Sequence, residues 1–98
     1  MPRSVRARAA EADALEISLY VAADNVAAAD RLLARFDEAL HRLAAQPHLG
    51  KSVEVIAPRL RLFPLGSNLI FYRPLDGGIE LARLLHGARD ITAEFFRD

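Results

Sequence analysis

Cysteine and tryptophan are absent from this sequence, lysine occurs once, and aromatic residues make up only 7% of it. Without cysteine there is no disulfide framework, no thiolate zinc site and no thiol nucleophile. A chain of this kind suits a reducing compartment, so the cytoplasm is the expected location. Long apolar runs are missing too. The longest, Leu19 to Ala23, falls far short of the roughly 20 residues of a membrane helix. No apolar stretch follows Arg3, Arg6 and Arg8 as it would in a secretory leader, so the expectation is a chain neither exported by that route nor membrane-spanning. Nor is there an excess of charge: 13 basic residues balance 13 acidic ones. No overall field draws the chain to DNA or RNA, so sequence-specific nucleic-acid binding is not expected and a protein partner is.

What is present is 98 residues with 52% apolar content, the size of one small domain, expected to span residues 1–98. Such a chain buries roughly 60 to 68% of its unfolded surface. That suffices for one core of helices on a sheet and is too little for an enclosed active site with its own lid.

The apolar period changes along the chain. Val5, Ala7 and Ala9 alternate with Arg6 and Arg8, which predicts a short strand over residues 4–9. From Ala10 to Ala23 the period is helical: Ala14, Ile17 and Val21 mark the core face, with Tyr20 beside it. Leu15, Leu19 and Ala22 form a second apolar stripe roughly 100° or more around that helix. Asp24 and Asn25 are good N-cap residues for a second helix, on which Val26, Ala29, Leu32, Leu33, Phe36, Leu40 and Leu43 repeat at three- and four-residue steps. Pro47 ends it, and the two helices should form an antiparallel hairpin. A loop follows, with extended structure expected at Val53 to Ile56. Three strands are expected at Arg59 to Leu65, Asn68 to Leu75 and Ile79 to His86, joined through Gly66-Ser67 and Asp76-Gly77-Gly78 as a meander. A short final helix, Ile91 to Arg97 capped by Asp90, closes the chain.

Chemistry-bearing motifs are few. His41, His48 and His86 lie in a helix, a loop and a strand end, and none has a second ligand at i+3 or i+4, so no metal site is expected. None of Ser4, Ser18, Ser52 and Ser67 sits in a Gly-x-Ser-x-Gly elbow, and Gly77-Gly78 falls in a hairpin rather than before a helix, so there is no phosphate loop. No catalytic residue and no cofactor is expected. The arginines carry more information: Arg59, Arg61, Arg73, Arg83 and Arg89 crowd the sheet half against Asp76, Glu80 and Asp90. Arg61 faces away from Leu60 and Leu62, while Arg73 and Arg83 share parity with Phe71, Leu81 and Leu85. Two readings stand: binding of a phosphate or an acidic partner helix, or snorkelling over an apolar edge of the sheet. Leu15 and Leu19 pose a similar choice between the chain's own core and a docking surface. Phe95 and Phe96 raise it again at the C-terminus.

The order of elements and five local strings resemble the ParE branch of the RelE/ParE toxin superfamily, the toxin half of bacterial toxin-antitoxin pairs. The strings are Ala22-Ala23-Asp24-Asn25 with Ala27-Ala28-Ala29-Asp30-Arg31, then Gln46-Pro47-His48-Leu49-Gly50-Lys51, Leu60-Arg61-Leu62-Phe63-Pro64-Leu65-Gly66, Leu69-Ile70-Phe71-Tyr72-Arg73, and Leu84-Leu85-His86-Gly87-Ala88-Arg89-Asp90. The resemblance implies an α+β fold, a helical hairpin packed on a mostly antiparallel four-stranded sheet with a short C-terminal helix. It implies a non-enzymatic toxin that poisons DNA gyrase and is wrapped by a ParD-like antitoxin in a hetero-oligomer. The RelE branch instead cleaves mRNA on the ribosome. Here Arg89 can stand for one RelE-type arginine, but Ile91-Thr92-Ala93-Glu94-Phe95-Phe96 holds no tyrosine and no basic residue to assist proton transfer. An antitoxin groove is expected from Leu15, Leu19, Phe36 and Leu40, with Arg61, Arg73 and Arg83 at its rim pairing acidic antitoxin residues. Arg89, Phe95 and Phe96 are the expected target contacts. Leu15 and Leu19 stand where ParE sequences as a rule place polar residues, which suggests a modified antitoxin-binding or self-association surface.

Overall fold

The computed structural model describes residues 2–97. A first strand, β1 (Arg3–Arg6), leads into two helices, α1 (Arg8–Ala22) and α2 (Val26–Ala45). Four strands follow: β2 (Lys51–Ser52), β3 (Arg61–Leu65), β4 (Asn68–Leu75) and β5 (Gly78–His86), then a 3-10 turn at Ala93–Phe96. The strand order is β1-β5-β4-β3-β2, with β1 parallel to β5 and the other neighbours antiparallel. This is the expected α+β arrangement with five strands rather than four. The addition is the two-residue β2 at one edge; at the other edge the expected N-terminal strand, as β1, lies along the start of β5.

α2 forms as its pattern dictates. The Asn25 side chain accepts a hydrogen bond from the Ala28 N–H at 3.0 Å and so satisfies one of the free donors of the first turn. α1 packs through small residues, Ala10 and Ala14, which lets the helix lie close to α2 and β5. The main core lies between the hairpin and the sheet, where Phe36, Leu40 and Leu43 of α2 meet Ile70, Tyr72, Ile79 and Leu81. A second, smaller cluster occupies the opposite face of the sheet. There Leu60, Phe71, Ala82 and Leu85 are covered by Ile56, Ile91, Phe95 and Phe96. This explains why Leu69 to Tyr72 is apolar on both sides.

Several expectations are corrected. The strand expected from Arg59 starts at Arg61, because Arg59 adopts a left-handed backbone with φ of 60°. Val53 to Ile56 turns back on itself through the Ile56 N–H bonding to the Val53 carbonyl at 2.9 Å instead of extending. The final helix expected over Ile91 to Arg97 is a four-residue 3-10 turn. It is capped by Thr92 rather than Asp90, since the Thr92 hydroxyl accepts from the Glu94 N–H at 3.3 Å; so short a segment cannot sustain an α-helix by itself. Finally, β5 carries a bulge: Phe71 faces Arg83 and Tyr72 faces Leu81, leaving Ala82 extra. The bulge turns Leu81 to the helix side, away from Arg83 and Leu85, although all three have odd numbers.

One glycine is fixed by the sheet. A Cβ on Gly78 would lie 1.7 Å from the Arg3 carbonyl oxygen, so β1 can reach β5 only over a residue without a side chain.

Candidate functional site

The residues expected to form one groove lie on three separate surfaces. Leu15 and Leu19 are 60% and 61% exposed and stand on the side of α1 opposite its buried Ala10 and Ala14. Phe36 and Leu40 are each 1% exposed. These two are core side chains packed between α2 and the sheet, and the expectation that they line a groove is corrected. The amphipathic period identifies the apolar face of α2, and that face is already covered by the chain's own strands.

The three rim arginines are likewise dispersed. Arg61 pairs in register with Tyr72 on the helix side of the sheet, near the edge farthest from β1, and donates to the Gly50 carbonyl at 3.2 Å. Arg73 pairs with Glu80 on the other side and donates to the Pro58 carbonyl at 3.0 Å. Arg83 is engaged within the molecule. Its Nε and Nη2 grip the Asp13 carboxylate at 2.7 and 2.8 Å, and its Nη1 donates to the Phe95 carbonyl at 3.1 Å. Arg83 is therefore withdrawn from the expected antitoxin contacts. The Asp13 hydrogen bond raises the guanidinium pKa above its ordinary value against the opposing effect of burial. Asp13 also accepts from the Leu84 N–H at 3.0 Å, a group that no sixth strand serves. One carboxylate thus joins α1, the bulged part of β5 and, through Arg83, the C-terminal turn.

That turn is docked on the sheet. Phe96 meets Phe71 with ring centroids 5.1 Å apart at an interplanar angle of 60°, a tilted packing. Phe95 lies between two cations, with Arg83 5.3 Å and Arg89 4.8 Å from its ring centre. Both rings are half-buried, while Arg89 is exposed. Of the expected target contacts, Arg89 presents its guanidinium outward on a fixed aromatic base.

Two further positions emerge only from the fold. The Tyr72 hydroxyl accepts from the Gly50 N–H and donates to the Pro47 carbonyl, both at 2.8 Å, holding the loop after α2 against β3 and β4. Burial pushes this phenol above the ordinary value of 10.0, opposed by the Gly50 bond and the Arg61 charge. Asn68, 7% exposed, is a buried polar side chain beneath α1. The sequence signal for Tyr72 was a polar tip inside an apolar strand; Asp13, adjoining the stripe of Ala14 and Ile17, was a carboxylate next to a core face. No group of three or more histidine, cysteine, aspartate or glutamate side chains placed to hold a metal occurs among the described residues. No helix is long and apolar enough to cross a membrane among them.

With this geometry in place, the comparisons with known proteins fall into one group. A family model described as ParE toxin of type II toxin-antitoxin system, parDE, matches residues 5–91. Toxin ParE1 of Mycobacterium tuberculosis, in two strains, is 34% identical over 64 residues, which cover 64% of this chain and 65% of that protein. The chain thus spans about two-thirds of the mycobacterial relatives' length. Toxin ParE3 of Caulobacter vibrioides is 30% identical over 95 residues, 96% of this chain and 95% of that protein.

Proposed function

The chain belongs to the ParE toxin family of type II toxin-antitoxin systems, and we propose that it acts in the cytoplasm as a toxin that binds DNA gyrase and traps it on DNA. In this reading residues 1–98 work as one toxin domain, need no cofactor or metal and catalyse no reaction of their own. A ParD-like antitoxin neutralises the chain in a hetero-oligomer. The family match over residues 5–91 is the observation that carries the proposal.

The geometry supports it in two places. Leu15 and Leu19 give a partner helix an apolar seam that the chain's own core leaves uncovered. Glu11 and Glu16, also exposed, border that seam, so the antitoxin segment lying on it would carry basic flanks rather than only the acidic residues expected from the sequence. Arg89 on Phe95 offers a cation held in one place, which suits contact with a target protein. Arg83, committed to Asp13 and Phe95, is a structural arginine in this reading.

Expression in bacteria without antitoxin tests the proposal. The expected outcome is growth arrest with induction of the DNA-damage response, relieved by co-expression of a ParD-like antitoxin. Arrest with ribosome-dependent mRNA cleavage would replace gyrase by the RelE-type activity. Absence of arrest would leave a homologue that binds antitoxin without poisoning a target.

A further inference from the structure

The charge of the chain is unevenly placed. Residues 39–75 carry five basic side chains, Arg42, Lys51, Arg59, Arg61 and Arg73, against a single acidic one, Glu54. Since the whole chain has zero net charge, this stretch is positive by four and the remainder negative by the same amount. It runs from the second half of α2 to the end of β4 and includes β2 and β3, the strands farthest from β1.

Within it lies a pocket of about 260 Å³ lined by His48, Ser52, Glu54, Arg59, Arg61 and Pro74. Ser52 of β2 pairs in register with Arg61 of β3, which sets the two side chains beside each other on one face. Arg61 Nη1 is fixed by the Gly50 carbonyl, while Nε and Nη2 have no hydrogen-bond partner among the described residues. Arg59 is the more telling residue. The hairpin turns with φ of 60° and 77° use Gly66 and Gly77, yet Arg59 takes φ of 60° with a full side chain. Glycine would serve this turn at no steric cost, and a side chain kept against strain points to a use for it. The Glu54 carboxylate accepts the Arg59 N–H at 3.2 Å and so anchors the turn. The exposed Arg59 guanidinium has no hydrogen bond or ion pair among the described residues.

We propose that Arg59 and Arg61 hold one backbone phosphate of a double-stranded nucleic acid, without regard to base sequence. Guanidinium forks match the oxygens of a phosphate, and the positive surround draws in a polyanion. The size favours a group on a larger molecule, because pockets for whole small molecules begin at roughly 300 Å³. The lining holds no Phe, Tyr or Trp on which an unpaired base would stack, which selects a duplex over a single strand. It also lacks the apolar anchors that a docked acidic helix requires, since Leu60 beneath it is 0% exposed and only Pro74 remains. The Glu54 carboxylate weakens the site without reversing its sign.

The intact chain is titrated into short labelled DNA and RNA duplexes, each in two unrelated sequences, and followed by fluorescence anisotropy. The two sequences are expected to bind alike, with Kd of roughly 10⁻⁴ to 10⁻⁶ M, and more weakly as salt rises. The tighter of the DNA and RNA duplexes identifies the source of the phosphate. R59G binds about fivefold or more weakly, with the salt slope reduced by about 1. Its Tm stays level or rises, because glycine accepts φ of 60°. R61Q weakens binding likewise. E54Q strengthens it several-fold, removing a charge while keeping an acceptor for the Arg59 N–H. R3Q, the same loss of charge on β1 at the opposite edge of the sheet, binds as before. No duplex binding, equal binding by R59G and R61Q to the parent chain, or equal weakening by R3Q overturns the proposal. So does a fall in Tm that accompanies weaker binding by R59G, or polyglutamate displacing the duplex as well as unlabelled duplex does. Growth arrest without duplex binding would contradict the pocket alone, and duplex binding without arrest would contradict only the toxin reading.

Discussion

Replacing Tyr72 by Phe removes one oxygen and two hydrogen bonds while keeping a ring that is 0% exposed. Gly50 is buried, so its N–H loses the only acceptor it has on the sheet side; the Pro47 carbonyl is half-buried and water can reach it. An orphaned buried donor costs about 1–3 kcal/mol and a lost ordinary bond about 0.5–1.5 kcal/mol, so Y72F should be destabilised by about 2–3 kcal/mol. For a domain of this length that is a fall in Tm of roughly 8–24 °C. The same hydroxyl makes the difference depend on pH. Burial raises the folded phenol above its ordinary 10.0, so the unfolded chain ionises first. Its contribution is complete below about pH 10 and is lost as pH rises through the interval up to the raised folded value, at about 1.4 kcal/mol per pH unit. Urea unfolding of both proteins at pH 8 and pH 11 tests this. The gap between them should narrow at the higher pH. A gap below about 0.5 kcal/mol at pH 8, or one that does not change with pH, would refute the reasoning.

Other outcomes follow from the same structure. D13A leaves the Arg83 guanidinium, 20% exposed, without its carboxylate and the Leu84 N–H without an acceptor. It should cost about 3–5 kcal/mol, and a D13L/R83M double variant less, as chemical denaturation of the two proteins would show. Changing both Leu15 and Leu19 to Glu should alter stability by no more than about 1 kcal/mol because both are largely exposed, whereas F36A should cost about 3–5 kcal/mol. Thermal melts distinguish these, and the double glutamate variant should also fail to co-purify with antitoxin. G78A should detach β1, seen as faster amide exchange at Arg3 and Ala7, whose N–H groups bond to the Gly77 and Leu81 carbonyls at 2.9 and 3.0 Å.

The comparison of pattern with fold shows what periodicity carries. α2 is readable because its apolar residues return every three or four positions behind an asparagine cap, and the hairpins because Gly66 and Gly77, with φ of 60° and 77°, mark their turns. The same period could not say whether Phe36 and Leu40 face strands or a partner, since both situations demand an apolar side chain. The exposure of Leu15 and Leu19 was legible as a second stripe only because Ala10 and Ala14 already supplied a core face. Contacts across long separations left no local trace. Asp13 meets Arg83 70 residues away, and the bulge at Ala82 that turns Leu81 inward is a property of strand pairing rather than of residue order. Because of that bulge, and because Arg61 and Arg73 occupy opposite faces of the sheet, the arginine rim dissolves into separate roles.

The central claim is that the folded chain poisons gyrase by binding it. Purified, antitoxin-free chain is incubated with gyrase, ATP and relaxed plasmid, and the products are resolved after detergent and protease. The account predicts lost supercoiling with accumulation of linear DNA, weakened by R89A. Supercoiling that proceeds unchanged, with no cleaved DNA, in the presence of chain shown to be folded, would contradict it.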